Sequence, residues 1–215
     1  MPIYRDKKLL FIHIPKCAGS FIDDALSTQQ RRKVQPIKER IIGKLIRMSF
    51  KKHPTLFGIL NLNFNAQHLT LTELVSLNLI TEDELKDLEI FTVVRNPINR
   101  FKSAFLSHNR FSKYEDINHF ANSWLFEAKT KHDEWSHCRP MSDFIQGKYK
   151  QRVKIFKFEE LEAVTTYLNG KYSIKFKQEK VNASKTIDKR KLIINPETEK
   201  LLQNYYKKDF SNFKY

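Results

Sequence analysis

One stretch near the start of the chain constrains the fold more than any other part of the sequence. Residues 9–14 are almost entirely apolar, and they run into Pro15, Lys16 and, three positions later, Gly19. So short an apolar run is typical of a strand covered on both faces of a sheet, and a proline cannot continue a central strand. Gly19 frees the backbone at the turn, and Ser20 is suited to cap a following helix. We therefore expect a buried strand, a tight turn and a helix in direct succession.

This turn is also a candidate anion site. The first N–H groups of a helix have no partner within the helix, and they lie at the positive end of its dipole. Such a position binds phosphate readily. Lys16 adds a full positive charge beside it, so the turn is predicted to bind a phosphate group.

A second strand, turn and helix follow the same plan. The strand is predicted at 90–94, its turn begins at Arg95, and apolar residues recur at helical spacing over 98–106. Ligands of open α/β sheets bind outside the carboxyl ends of the strands. Arg95 and Lys16 are therefore expected to face one crevice, with Ser103 in the second helix within reach of the same ligand.

A third strand is predicted at 153–158, where apolar and basic residues alternate as they do in a strand near a sheet edge. Strands that alternate with helices indicate an α/β fold of three layers, with a central, mainly parallel sheet flanked by helices. A length of 215 residues suits one domain, predicted over 1–215. The order of the strands and the oligomeric state cannot be read from the sequence.

The charge of the chain indicates a polyanionic partner. Lys and Arg number 39 against 24 Asp and Glu, for a formal net charge of +15. Within 29–53, basic residues oppose the single acid Glu39, and Pro36 is expected to begin an amphipathic helix with a basic outer face. That face is either solvated or a rim that attracts an acidic substrate. Nucleic acid, an acidic polysaccharide and contact with a membrane surface all remain consistent with the charge.

Cysteine usage and hydropathy limit the class of protein further. Cys17 and Cys138 are far apart and are expected to be reduced thiols, and their positions fit no zinc spacing. His132 and His137 beside Cys138 match no standard metal site either. No apolar segment of a signal peptide precedes the first strand, and no apolar run approaches ~20 residues. We expect a cytoplasmic protein with no bound metal and no transmembrane segment.

The first turn departs from a nucleotide-binding P-loop. A Walker A motif needs its lysine directly after the last glycine, whereas Lys16 precedes Gly19. The second strand ends in Arg95 rather than in an acidic magnesium ligand. Two cationic strand ends predict a ligand with two separate phosphates, bound without metal. A P-loop kinase of unusual form and a basic nucleic-acid-binding protein remain as alternatives, although no short RNA- or DNA-binding signature is visible and nucleic acid is not the expected partner.

Several segments resemble one enzyme family. His13-Ile14-Pro15-Lys16-Cys17-Ala18-Gly19-Ser20 is similar to the 5′-phosphosulfate loop of sulfotransferases that use 3′-phosphoadenosine 5′-phosphosulfate (PAPS), and residues 94–105 resemble their 3′-phosphate segment. Phe158-Glu159-Glu160-Leu161 resembles the later "FEDL" element. Residues 182–184 and 206–210 resemble the tail of the carbohydrate (Golgi-type, type 2) branch and its soluble bacterial relatives. Asn96 departs from the family's usual aspartate, and Phe21 and Lys102 are less typical neighbours.

The resemblance implies an enzyme that moves a sulfuryl group from PAPS, by in-line transfer, to a hydroxyl of a carbohydrate acceptor. An anionic acceptor, together with the anionic donor, would explain the positive net charge of the chain. It implies that Lys16 contacts the phosphosulfate and offsets charge on the leaving oxygen. The donor-binding residues of the loop would be Lys16, Cys17, Ala18, Gly19, Ser20 and Phe21, the last four through backbone N–H groups. Arg95 and Ser103 would bind the 3′-phosphate. Residues 180–190 would fold over the donor, and Arg100 would form a structural ion pair.

The acceptor hydroxyl needs a base, and histidine suits proton transfer near neutral pH. His68 lies where related enzymes of this branch place a histidine, and it is the predicted catalytic base. A structural role is the alternative for any single histidine, and it is the role expected of His13. His137 precedes Arg139-Pro140 in a segment that resembles an acceptor-site stretch of the branch.

Overall fold

A small twisted sheet organises the part of the chain that the computed structural model describes, namely residues 3–4, 7–30, 68–76, 80–127, 136–176 and 188–215. Its strands lie side by side in sequence order: β1 (Ile3–Tyr4), β2 (Leu9–Ile12), β3 (Glu89–Val94) and β4 (Val153–Lys157). β2, β3 and β4 are parallel, and β1 runs antiparallel to β2. The predicted mixed α/β fold with a mainly parallel sheet is confirmed, and β4 lies at the edge of the described sheet as expected.

Helices connect and flank these strands. They are α1 (Gly19–Gln30), α2 (Leu71–Ser76), α3 (Glu82–Asp87), α4 (Pro97–Leu106), α5 (Ile117–Glu127), α6 (Leu161–Tyr172), α7 (Pro196–Tyr205) and α8 (Lys207–Phe213). Short 3₁₀ turns lie at Ser107–Ser112, Met141–Ile145, Lys150–Arg152, Phe158–Glu160 and Lys189–Leu192. Within the described ranges, no helix combines the length and apolar character needed to cross a membrane.

The central strands are buried because helices cover the sheet. Every residue of β2 is buried, as is every residue of β3 after Glu89. Ile22 of α1 and Val164 of α6 belong to the same apolar cluster as these strands. The buried hydroxyl of Thr92 donates to the carbonyl oxygen of Ile12 at 2.7 Å, so β3 is linked to β2 by a side chain as well as by the ladder. A continuous apolar strand is typical of this position in a parallel sheet.

A second apolar cluster lies among the helices. Phe101 and Phe105 of α4 pack against Phe120 and Trp124 of α5, with the Phe120 and Trp124 ring centroids 4.5 Å apart. Aromatic pairs at this spacing add to the stabilisation from burial alone. This cluster fixes α4, which carries the segment that follows β3.

The cap, proline and acid at Asn195-Pro196-Glu197 predict a last helix that ends near Lys208, followed by an aromatic tail. The structure differs from this prediction at the end of the helix. α7 begins at the cap Asn195 as predicted, but it ends at Tyr205 and a further helix, α8, follows. Asp209 is fully buried in α8, and its carboxylate accepts from the N–H groups of Met141 and Ser142 at 2.8 Å each. Asp209 and its partners lie far apart in sequence, so no local pattern indicates this contact.

Three predicted features fall outside the described residues. They are the basic helix expected to begin at Pro36, residues 180–187 of the donor-covering segment predicted at 180–190, and the histidine His132.

Candidate functional site

The loop between β2 and α1 has an unusual backbone. Lys16 and Ala18 have φ angles of 68° and 61°, in the left-handed region. For a residue with a side chain this conformation costs roughly 1–2 kcal/mol. Strain of this kind persists where the surrounding structure holds it, and it clusters at ligand-binding segments. The expected tight turn is therefore present, and its strain falls on Lys16 and Ala18 rather than on the glycine.

Gly19 is needed for a different reason from the one expected. Its own φ is not positive, but a Cβ built on Gly19 would lie 1.7 Å from Nε2 of His13. The glycine lets the buried imidazole ring pack against the start of α1. Ser20 lies inside the first turn of α1, not at its cap as expected, and it is exposed. Its hydroxyl and the neighbouring N–H groups lie at the positive end of the helix.

His13 is a structural residue, as predicted. Its side chain is buried, and Nδ1 lies 2.8 Å from Oδ2 of Asp23 in α1, without the alignment of a hydrogen bond. The ring stacks on Phe11 of β2 at a centroid distance of 5.5 Å. His13 therefore joins the end of β2 to α1 beneath the loop.

Lys16 lies in a concentration of positive charge. The side chain is partly buried, and burial lowers the pKa of Lys16 first, followed by the charges of Arg110 and Arg95. Arg110 was not singled out from the sequence. Its guanidinium donates to the Ala104 carbonyl and the Ser107 hydroxyl, and it lies 5.0 Å from the Trp124 ring. Several cations in one half-buried place favour an anionic ligand.

Arg95 meets the Lys16 loop directly. Its Nη1 donates to the Lys16 carbonyl at 3.3 Å, and its guanidinium carbon lies 4.0 Å from the centre of the Phe158 ring. Nε of Arg95 is buried and has no hydrogen-bond partner among the described residues. The structure thus brings the two cationic strand ends together, as the topology predicts, and leaves Arg95 with donor capacity.

Glu159 fixes the turn that carries Arg95. Its carboxylate accepts from the Asn96 N–H at 2.9 Å and from the Tyr215 hydroxyl at 2.7 Å. Asn96 in turn caps α4, because its side-chain oxygen accepts from the N–H groups of Ile98 and Asn99. Asn96 therefore performs the capping that an aspartate would perform at this position. The local role of Glu159 was not predicted.

Ser103 lies in α4, seven residues after Asn96, or about two helical turns. Its side chain is partly exposed. Among the described residues, no hydrogen bond joins Ser103 to Arg95, so a shared ligand would have to span the distance between them.

The described partners of Arg100 are backbone carbonyl groups. The side chain is almost fully buried, and it donates to the carbonyl oxygens of Pro15 at 2.9 Å, Arg139 at 2.8 Å and Ser136 at 3.5 Å. Among the described residues Arg100 forms no ion pair, so the expected ion pair stays a prediction. Arg100 instead ties the Lys16 loop to the segment that holds His137.

His68 lies beside this loop and between two other histidines. Its ring centroid is 4.7 Å from that of His13 and 5.4 Å from that of His137. Its Nδ1 lies 3.2 Å from the carbonyl oxygen of His13. Because a carbonyl only accepts hydrogen bonds, this contact places the proton on Nδ1 and leaves the lone pair on Nε2.

The surroundings keep His68 neutral. Burial lowers the pKa of His68 well below 6.5, and the neighbouring His13 and His137 lower it further. A neutral imidazole near pH 7 is the form that accepts a proton. The candidate base predicted from the sequence thus lies next to the Lys16 loop in a suitable ionisation state.

Both cysteines remain in the thiol form. Burial raises the pKa of Cys17 to about 12 and that of Cys138 to about 12, so both are protonated at neutral pH, and neither forms a disulfide. In the described ranges, no group of three or more His, Cys, Asp or Glu residues has the arrangement of a metal site.

Comparison with known proteins adds an independent finding. A model of the sulfotransferase family matches residues 2–215, which is nearly the whole chain. The comparisons with curated proteins and with solved structures give no significant match.

Proposed function

The chain belongs to the sulfotransferase family, and from that premise we propose that it transfers a sulfuryl group from PAPS to a hydroxyl of a carbohydrate acceptor. One observation carries the proposal: the guanidinium of Arg95 contacts the carbonyl of Lys16, so the two cationic strand ends lie next to each other. A donor with phosphate at two separate positions matches this arrangement.

The donor would be held by charge and by backbone donors. Lys16 and the N–H groups at the start of α1 would bind the 5′-phosphosulfate, with the Ser20 hydroxyl beside them. Arg95, held against Phe158, would bind the 3′-phosphate together with Ser103. Burial and nearby arginines lower the pKa of Lys16, and an anionic ligand would relieve this repulsion. The positive charges that disfavour the protonated form of Lys16 would thus favour the binding of an anion.

The transfer step would need no metal. The acceptor oxygen forms a bond to sulfur while the bond from sulfur to the bridging oxygen of the donor breaks. That oxygen leaves with the electron pair as part of adenosine 3′,5′-bisphosphate (PAP), and Lys16 offsets its growing charge. The proton of the acceptor hydroxyl moves to Nε2 of His68, whose Nδ1 is bound to the His13 carbonyl. His137 lies on the other side of His68 and would face the acceptor.

A carbohydrate acceptor is supported by the resemblance of the chain to the carbohydrate branch and by its charge. A formal net charge of +15 exceeds what one donor molecule needs and suits an anionic glycan. A basic nucleic-acid-binding protein would explain the charge, but it would not explain why Arg95 and Lys16 meet at two strand ends. The cytoplasmic location expected from the sequence is part of this proposal.

Calorimetric titration with PAP tests the donor site. The wild-type protein should bind PAP, and Arg95→Ala should weaken binding by about 10- to 100-fold, since a charged hydrogen bond contributes about 1.5–3 kcal/mol. Lys86→Ala is the matched control for the loss of one positive charge. Lys86 is exposed in α3, which precedes β3, whereas Arg95 follows the other end of that strand. Absence of PAP binding, or equal binding by Arg95→Ala, would contradict the proposal.

Transfer of labelled sulfate from PAPS to a panel of polysaccharides tests the reaction and the base. His68→Ala should retain the affinity for PAP and lose transfer, because His68 contacts the loop without being one of its cations. Parallel loss of affinity and transfer, or retained transfer, would contradict the role of His68. A protein that shifts nucleic acid at moderate salt but transfers no sulfate would support the nucleic-acid alternative.

A further inference from the structure

Two segments that lie far apart in sequence carry the neighbouring rings of His68 and His137. Thr70 lies two residues after His68, and Arg139 lies two residues after His137. Both are hydrogen-bonded to Glu73, which therefore joins the two segments. The rings themselves make an edge contact at 5.4 Å. The relative position of the two histidines therefore depends on how these segments are connected.

Glu73 holds the His68 segment through a reciprocal helix cap. Its Oε2 accepts from the Thr70 N–H at 2.7 Å, while the Thr70 hydroxyl oxygen accepts from the Glu73 N–H at 3.1 Å. This is the capping-box arrangement at the start of α2. It fixes the backbone two residues after His68.

The second oxygen of the same carboxylate reaches the other segment. Oε1 of Glu73 accepts from Nη1 of Arg139 at 2.8 Å, and both side chains are mostly buried, with exposed fractions of 28% and 15%. Burial tends to raise the pKa of Glu73, but hydrogen bonds from Thr70 and Arg139 outweigh it and leave the pKa below its usual value. Glu73 is therefore a carboxylate at neutral pH.

Arg139 is itself anchored to the Lys16 loop. Its carbonyl oxygen accepts from Nη1 of Arg100 at 2.8 Å, and Nε of Arg100 donates to the Pro15 carbonyl at 2.9 Å. Oδ2 of Asp143 lies 3.7 Å from Nε of Arg139. One continuous set of contacts thus connects the Lys16 loop, the His137 segment and the His68 segment.

We propose that the Glu73–Arg139 ion pair is a positioning pair that holds the His68 ring, with its Nδ1 on the His13 carbonyl, in the orientation needed to accept a proton. The inference rests on the proposed function for its kinetic consequence, but the orientation of the ring is a property of the protein alone. Misplacing a catalytic group by about 1 Å can cost up to ~100-fold in rate.

The chain contains a matched control for this pair. Thr81 and Glu84 form a second capping box, at the start of α3, with distances of 3.0 Å and 3.1 Å. Glutamine is compatible with this position of a capping box. Glu73→Gln keeps an acceptor for Thr70 and removes the charge that faces Arg139, whereas Glu84→Gln makes the same change on an exposed helix start.

Kinetics with PAPS and an accepted polysaccharide give the first readout. Glu73→Gln should lower kcat by about 10- to 100-fold relative to Glu84→Gln, while its affinity for PAP stays at the value of Glu84→Gln. Arg139→Gln should lower kcat similarly, and the double variant should be no worse than the single ones, because both changes break one interaction. A kcat equal to that of Glu84→Gln, or additive losses in the double variant, would overturn the proposal.

Long-range ¹H–¹⁵N spectra of the histidine rings give the second readout, which needs no acceptor. At pH 7.5 the wild-type His68 should show one neutral form with Nδ1 protonated, assigned by its loss in His68→Ala. Glu73→Gln should show a mixture of the two neutral forms, and Glu84→Gln should match the wild type. A single Nδ1-protonated form in Glu73→Gln would overturn the inference. If the wild-type protein transfers no sulfate, the proposed function fails and these spectra still decide the positioning role.

Discussion

Replacement of Gly19 by alanine should disrupt the loop through His13. The new Cβ would lie 1.7 Å from Nε2 of His13 and 2.0 Å from its Cδ2, whereas ordinary contacts between such atoms are roughly 3.5–4.0 Å. The ring would have to retreat by about 2 Å, yet it is buried, stacked on Phe11 and held close to Asp23. Overpacking of this kind costs about 1–3 kcal/mol. Gly19→Ala should therefore lower the stability of the protein by that amount.

Thermal unfolding measures this effect, and Gly170→Ala supplies the control. For a chain of this size, 1 kcal/mol corresponds to about 2–4 °C in Tm, so Gly19→Ala should lower Tm by roughly 2–12 °C. Gly170 lies in the exposed part of α6, and a Cβ there would meet nothing within 4 Å. Gly170→Ala should instead raise stability by about 0.5–1 kcal/mol, because alanine loses less backbone entropy in a helix. The same chemical change thus has opposite signs at the two sites.

The displaced ring should also affect ligand binding, because the His13 backbone and the loop are continuous. We expect Gly19→Ala to weaken PAP binding and Gly170→Ala to leave it unchanged. A Gly19→Ala protein with wild-type Tm and wild-type PAP affinity would show that the His13 ring can move freely, and the steric explanation of Gly19 would be refuted.

Two further predictions concern stability. Burial lowers the pKa of His68 well below 6.5, so below pH 6.5 the unfolded chain binds a proton that the folded protein does not. The free energy of unfolding should therefore fall as the pH is lowered below 6.5. Urea titrations at several pH values should show a weaker pH dependence of this free energy for His68→Gln. An unchanged pH dependence would contradict the burial of a neutral His68 ring. Asp209→Asn removes one of the two acceptors for Met141 and Ser142 and should cost about 1.5–3 kcal/mol in urea unfolding. Asp188→Asn, at an exposed pair with Arg190, should change stability by less than about 1 kcal/mol, and equal effects of the two substitutions would refute the role of Asp209.

Much of the fold was predictable because its signals are local. The apolar runs of β2 and β3 are contiguous, and the caps Asn96 and Asn195 lie directly before their helices. Thr81-Glu82-Asp83-Glu84 has the capping-box pattern in the sequence, and the structure has that box at the start of α3. Each of these features depends on residues within about one helical turn or one strand, so periodicity and cap chemistry are sufficient to identify them.

The features that the sequence did not predict depend instead on contacts between side chains and segments brought together by folding. Gly19 was expected to supply backbone freedom at the turn. In the structure it is instead needed because the His13 ring occupies the space that a Cβ at position 19 would fill. Arg100 was expected to pair with an acid, but it binds carbonyls of segments about 36–85 residues away. Residue type indicates that a buried guanidinium must find acceptors, and it does not indicate which ones.

Local sequence patterns are sufficient to predict a parallel α/β sheet with cationic turns at the ends of two strands, because strand and helix periods and the placement of Pro15, Lys16 and Arg95 involve only neighbouring residues. How these turns meet depends on tertiary packing. The contact of Arg95 with Phe158 and Lys16, and the position of His68 between His13 and His137, join residues separated by tens of positions. Such contacts arise from the packing of whole segments, where burial and the need to satisfy each buried polar group select one arrangement. The candidate site is therefore composed of locally recognisable parts whose mutual distances are set by the core beneath them.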